Sequence, residues 1–177
     1  MTRPHEPNAR AVDVVEAFRS RGWTLATAES LTAGLLAATV AEVPGASAVL
    51  RGGLIVYATD LKHDLANVPT AVLKRYGAVS PETAQALAAG AAERCGADVG
   101  VGLTGVAGPD RQEGKPSGTV YLGLCAPGLE PWAVPLRLDG DRHRIRRTAV
   151  DAALEQIVLL TGGVDNVNHG GGNVSGS

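Results

Sequence analysis

The chain has 177 residues, 45% of them hydrophobic, with a formal charge of −2: the size and balance of one domain with its own core. No apolar run approaches the roughly 20 residues that span a bilayer. Met1 to Ala11 is polar, with Pro4 and Pro7 and no secretory apolar segment, so a cytoplasmic protein without a membrane partner is expected. Near-neutral charge and only six aromatic residues speak against a nucleic-acid binder, which needs a basic face and stacking rings.

Residues 9 to 21 place Val12, Val15, Ala17 and Phe18 along one side of an amphipathic helix. Trp23 to Ala28 reads as a buried strand, and Leu31 to Val40 as a packed helix, stopped by Pro44-Gly45. Val49 to Ala58 reads as a strand in which Gly52-Gly53 suggest a bulge or a close backbone approach. Thr59 to Asn67 and Pro69 to Tyr76 are short helices, the second ended by Gly77. Ser80-Pro81-Glu82 combines an N-cap serine, a proline at the first helical position and an acid in the first turn. That helix runs through an alanine-rich stretch to about Gly96. Asp98 to Leu103 is a buried strand, Thr104 to Ser117 a Gly/Pro-rich loop, Gly118 to Ala126 and Trp132 to Leu138 strands, and Asp141 to Leu160 the closing helix. This order predicts an α/β protein, a single-domain three-layer α/β/α sandwich with a mixed, largely parallel sheet. The domain is expected at 9–161, between a flexible N-terminus (1–8) and a disordered Gly/Asn/Ser-rich tail (162–177).

Ser30 stands where the first strand turns into the next helix. A serine there can cap the helix, or act as a nucleophile beside amides that favour developing negative charge. A nucleophilic serine needs a base. His5 and His169 lie in the tails, and His63 and His143 adjoin charged residues on helices. No Ser-His-Asp arrangement or glycine-flanked nucleophile elbow is signalled. Ala33 stands where a Ser-x-x-Lys motif needs lysine. Lys62, at the next strand-helix junction, remains as a base, with Tyr57 able to relay or position a proton. On spacing alone, a capping Ser30 and a surface Lys62 are the commoner outcomes. Thr104-Gly105-Val106-Ala107-Gly108-Pro109 offers a nest of amides at a strand end, yet fits neither a Walker A loop nor a dinucleotide fingerprint. Arg142-His-Arg-Ile-Arg-Arg147 reads as a solvated basic face. Cys95 and Cys125 have no second cysteine or histidine at ligand spacing, so neither a metal nor a cofactor is expected.

Six motifs occur in one order: Thr27-Ala-Glu-Ser-Leu-Thr-Ala-Gly34, Gly52-Gly53 with Tyr57 and Lys62, Gly77-Ala-Val-Ser80, Thr104 to Pro109, Lys115-Pro-x-Gly118 and Gly140-Asp-Arg142. In this the chain resembles the C-terminal domain of the CinA (competence/damage-inducible) proteins, over roughly residues 9–161. The resemblance implies hydrolytic deamidation of nicotinamide mononucleotide to nicotinate mononucleotide and ammonia, a step of pyridine-nucleotide recycling. It implies Ser30 as nucleophile and Lys62 with Tyr57 as base and proton relay. Glu29, Thr104, Gly105 and Gly108 are then expected at the substrate, with Arg142 on a phosphate or carboxylate. The implied partner is a small nucleotide, in a homo-oligomer. Ala33 replaces a frequent glycine, and Ala58-Thr-Asp60 replaces the more usual Ser-Asn-acid. With no pyrophosphatase-like domain in the sequence, the stand-alone form is expected. The alternative is a non-catalytic, nucleotide-binding regulatory module linked to competence or DNA damage.

Overall fold

Helix α1 (Ala9–Arg21) starts where the Asn8 side chain accepts the amides of Arg10 and Ala11, and ends at Gly22 in the left-handed region. The computed structural model describes residues 6–168. The chain continues through β1 (Leu25–Glu29), α2 (Leu35–Ala41), a single 3-10 turn (Ala46–Ala48), β2 (Leu50–Ile55), α3 (Thr59–Asp64) and α4 (Thr70–Tyr76). Then follow α5 (Pro81–Cys95), β3 (Val99–Gly105), β4 (Thr119–Cys125), β5 (Trp132–Arg137) and α6 (Arg142–Asn168). The Ser80 side chain accepts the Thr83 amide at the start of α5, with Pro81 opening the helix.

The five strands form one sheet in the order β2-β1-β3-β4-β5. β1 is parallel to β2 and β3, while β4 is antiparallel to both its neighbours. The sheet is mixed, with β4 alone running against the other strands. Every residue of β1 and β3 is buried, as in strands covered on both faces. Edge strand β2 alternates between half-buried and exposed residues.

Helices α1, α2 and α6 pack on one face around Phe18, Leu36, Leu103, Leu122 and Ile157. The other face carries α5, with Ala66, Val68 and the apolar side of α4. Here α5 lies almost backbone to backbone on the sheet. A Cβ at Gly100 would stand 1.9 Å from the Ala88 carbonyl oxygen, and one at Gly123 1.9 Å from that of Ala84. Glycine is required at both positions for this close approach.

Two expectations change. Helix α2 begins at Leu35, not Leu31, because Ala33 and Gly34 take φ of 51° and 93°, which no helix contains. The closing helix runs through Gly162-Gly163 to Asn168, past the end expected near Leu160. Once a helix is nucleated, each added residue gains a bond for little further cost, so weak formers can extend it. Residues 1–5 and 169–177, parts of the expected tails, lie outside the described residues. No helix among the described residues is long and apolar enough to cross a membrane.

Because β2, β1 and β3 are parallel neighbours, their carboxyl ends share one edge of the sheet. The chain goes from β1 outward to β2 and then crosses back to β3 on the other side of β1, and such a reversal of strand order is where open α/β sheets form a ligand crevice. The three segments after these strands are those singled out in the sequence.

Candidate active site

Ser30 extends β1 by one residue, its amide donating to the Leu103 carbonyl at 2.9 Å. The chain then turns, with the Ala33 amide on the Ser30 carbonyl at 3.0 Å. Glu29, not Ser30, caps the helix. One carboxylate oxygen of Glu29 accepts the amides of Gly34 and Leu36, and the other accepts the Ala37 amide and the Thr27 hydroxyl, all at 2.9–3.0 Å. Glu29, expected at the substrate, is buried and fully engaged within the protein. Its charge also compensates the positive end of α2, so that helix end is not open to a reaction intermediate. The capping task thus falls to the neighbour, and the Ser30 hydroxyl faces a cleft.

Lys62 reaches that cleft from α3. Its Nζ lies 3.2 Å from Ser30 Oγ, 2.8 Å from the Val56 carbonyl oxygen and 3.4 Å from that of Tyr57. The residue is only 2% exposed, so it is no surface lysine. Burial pulls its pKa from the ordinary 10.5 down to about 8, against the opposing pull of the Glu113 and Asp60 carboxylates. Carbonyl oxygens can only accept. A neutral amine therefore spends its two N–H groups on Val56 and Tyr57, and its lone pair is left facing the one partner able to donate, the Ser30 hydroxyl.

Tyr57 and Arg142 form the opposite rim. Asp141 opens α6 with its carboxylate on the Arg144 amide at 2.8 Å, which places Arg142 in the first turn. From there Arg142 donates to the Gly108 carbonyl at 2.9 Å and to the Tyr57 hydroxyl at 2.6 Å. Tyr57 is 55% exposed, and its hydroxyl is engaged by Arg142. What it offers Lys62 is its main-chain carbonyl, so the expected proton relay is not assembled in this arrangement.

The third wall is the loop after β3. Gly105 and Gly108 line the cleft with Ser30, Leu31, Asp110 and Arg111, around a space of about 300 Å³. Gly108 has φ of 83°, and a Cβ there would meet Ser117 Oγ at 2.2 Å, so the turn needs glycine. Thr104, expected at the substrate, is buried and donates its hydroxyl to the Ala78 carbonyl at 2.6 Å. It anchors the loop from below.

Three contributors escaped the sequence reading. Asp110 and Arg111 place opposite charges on the cleft wall. Glu113 reaches back to accept the amides of Ala78 and Val79 at 2.8 and 3.0 Å, tying the loop to the start of α5. Its charge also holds the Lys62 pKa up. Replacing Glu113 by glutamine is therefore expected to move the Lys62-dependent inflection of the pH–rate profile to lower pH. An unmoved or upward-shifted inflection would show that Glu113 does not act on Lys62. A fourth contributor, Arg146, was visible only as part of the basic cluster. It donates Nε to the Leu31 carbonyl at 2.8 Å and a terminal nitrogen to the Thr32 carbonyl at 2.9 Å, on the segment that directly follows Ser30.

The family described as the CinA C-terminal domain matches residues 8–160. A CinA-like protein of Frankia casuarinae is 49% identical over 147 residues, 82% of this chain and 34% of that protein. A competence-damage inducible protein of Limosilactobacillus reuteri is 44% identical over 146 residues, 81% of this chain and 35% of its own length. The chain thus spans about a third of these curated relatives. Among solved structures, a competence/damage inducible protein of Agrobacterium tumefaciens superposes with a TM-score of 0.81 at 34% identity, covering 88% of this chain and 98% of that one. A CinA superfamily protein of Klebsiella pneumoniae gives 0.83 at 29% identity, covering 86% and 96%.

Proposed function

The chain belongs to the CinA C-terminal domain family, and on that footing we propose that it is an amidohydrolase that deamidates nicotinamide mononucleotide to nicotinate mononucleotide and ammonia. The observation that carries this reading is the buried Lys62 amine at 3.2 Å from the Ser30 hydroxyl, with a pKa lowered to about 8. Such an amine is a base near neutral pH, and serine needs one to become a nucleophile.

The reaction runs in two balanced halves. Ser30 Oγ bonds to the carboxamide carbon as Lys62 takes its proton, and the carbonyl π pair moves onto oxygen. As the pair returns, the C–N bond breaks, and the Lys62 ammonium gives its proton to the departing nitrogen, which leaves as ammonia. Water then adds to the ester carbon while neutral Lys62 accepts its proton. Collapse returns that proton to Ser30 Oγ and releases the carboxylic acid, which ionises in solution. No metal is needed for any of these transfers, since the base, acid and nucleophile are all side chains of this chain.

Cleft charge supports a nucleotide. Arg111 and Arg142 can face a phosphate, and Asp110 can face the cationic pyridinium ring. An anion on Arg142 would also compete with Tyr57 for its N–H groups, releasing the phenol towards the reacting centre.

The test is ammonia release by purified protein from nicotinamide mononucleotide, nicotinamide riboside and nicotinamide. Release is expected from the mononucleotide far above the other two. Equal rates on all three overturn the nucleotide assignment. Nucleotide binding without ammonia release overturns the hydrolase and favours the regulatory binding module.

A further inference from the structure

Helix α6 begins with cations: Arg142 and Arg144 lie in its first turn, where the helix dipole disfavours them, and Arg146 and Arg147 follow in the next turn. Arg142 and Arg146 also stand one turn apart, on the same face, as like charges. A local rule broken twice marks a site where something else is gained. Arg142 faces the cleft. Arg146 goes elsewhere, onto the two successive carbonyls of Leu31 and Thr32.

A trans peptide points its carbonyl and the following N–H in opposite directions. Holding the Leu31 carbonyl therefore aims the Thr32 N–H away from Arg146. The preceding plane is held by the Ala33 amide on the Ser30 carbonyl, which aims the Leu31 N–H away from Ala33. Other amides of this segment are committed: Ser30 to Leu103, Ala33 to Ser30, Leu35 to Thr32, and Gly34, Leu36 and Ala37 to Glu29. Among the described residues, the Leu31 and Thr32 amides have no acceptor, although the two residues are 3% and 0% exposed. Buried amides without partners are rare in folded proteins. These two directly follow the nucleophile, and Leu31 lines the cleft.

We propose that the Leu31 and Thr32 amides receive the oxyanion of the Ser30 adduct, and that Arg146 is the positioning residue that orients and polarises the Thr32 amide through the Leu31 carbonyl. The proposal rests on Ser30 being the nucleophile. When Ser30 adds to the carbonyl carbon, the π pair moves onto oxygen, which accepts both N–H groups; the pair returns when the leaving group departs. Arg146 touches no substrate. Its guanidinium sits at the carbonyl side of the peptide, and hydrogen bonds at the two ends of an amide strengthen one another.

The test compares the wild-type chain with Arg146→Gln and Arg146→Lys. With nicotinamide mononucleotide, Arg146→Gln is expected to lower kcat about 100-fold or more, the range for a lost oxyanion donor, with KM changed less than about threefold. The pH–rate inflection set by Lys62 should stay in place. Lysine keeps the charge but lacks the planar fork, so it should recover only part of the loss. An unchanged kcat, or a loss carried by KM, overturns the proposal.

Ser30 phosphonylation by a fluorophosphonate, followed by intact mass, needs no knowledge of the amide substrate. Its rate should fall by a similar factor in Arg146→Gln, and equal rates overturn the positioning role. Labelling of wild-type Ser30 without ammonia release from the mononucleotide would sink the proposed substrate and leave this comparison intact. If wild-type Ser30 does not react, both ideas fall. In unsubstituted protein, the amide proton resonances of Leu31 and Thr32 should move downfield on phosphonylation. Unmoved resonances overturn the proposal even if the Arg146 variants do not fold.

Discussion

Ser30→Ala is expected to reduce ammonia release from nicotinamide mononucleotide by about 10⁴-fold or more, the scale on which nucleophile removal acts in serine hydrolases. The fold should not notice. The main-chain bonds of Ser30, to Leu103 and from Ala33, do not involve its side chain, and the helix is capped by Glu29. Losing one Oγ also lifts a partner from Lys62, which keeps its two carbonyls. Steady-state ammonia release and thermal unfolding on the same preparation separate the effects. An alanine variant that retains a tenth of the wild-type rate, with an unchanged melting curve, removes Ser30 from the chemistry.

Lys62→Met should lower kcat/KM by about 10³-fold or more while keeping the side chain's volume. In the wild type, kcat/KM is expected to rise about tenfold per pH unit below about 8 and to level off above it, because the neutral amine is the active form. Stability carries the matching signature. The folded-state pKa lies below the unfolded value, so the unfolded chain binds more protons between about 8 and 10.5. Burying the charged lysine therefore costs stability at all pH values below about 8, and the cost is relieved as pH rises through this window. Denaturant unfolding across the window should show this rising component in the wild type, and Lys62→Met should lack it. Parallel curves for the two proteins would mean that Lys62 does not titrate as a buried group.

Much of the architecture could be read locally. The starts of α1 and α5, the buried central strands and the break after the second helix depend on caps, breakers and periodicity within a few residues of each other. Where the reading slipped, long-range bonds had intervened. The start of α2 was misplaced because a carboxylate on the preceding strand holds its amides, a bond with no periodic trace. Glu113 stands 34 and 35 residues from the amides it accepts. Arg146 lies 114 and 115 residues from the carbonyls it holds.

By itself, the sequence determined an α/β domain of known element order, and it placed Ser30, Lys62, Tyr57 and the glycine loop after β3 each at the end of a strand. It could not tell a capping serine from a nucleophile, nor a solvated lysine from a base. What favours the second role in each case lies in the tertiary structure. Parallel pairing sets the carboxyl ends of β1, β2 and β3 side by side, so the lysine of one junction meets the serine of another, 32 residues away, at 3.2 Å. Burial at that meeting point then withdraws water from the amine, and lost hydration is what lowers its pKa from 10.5 to about 8.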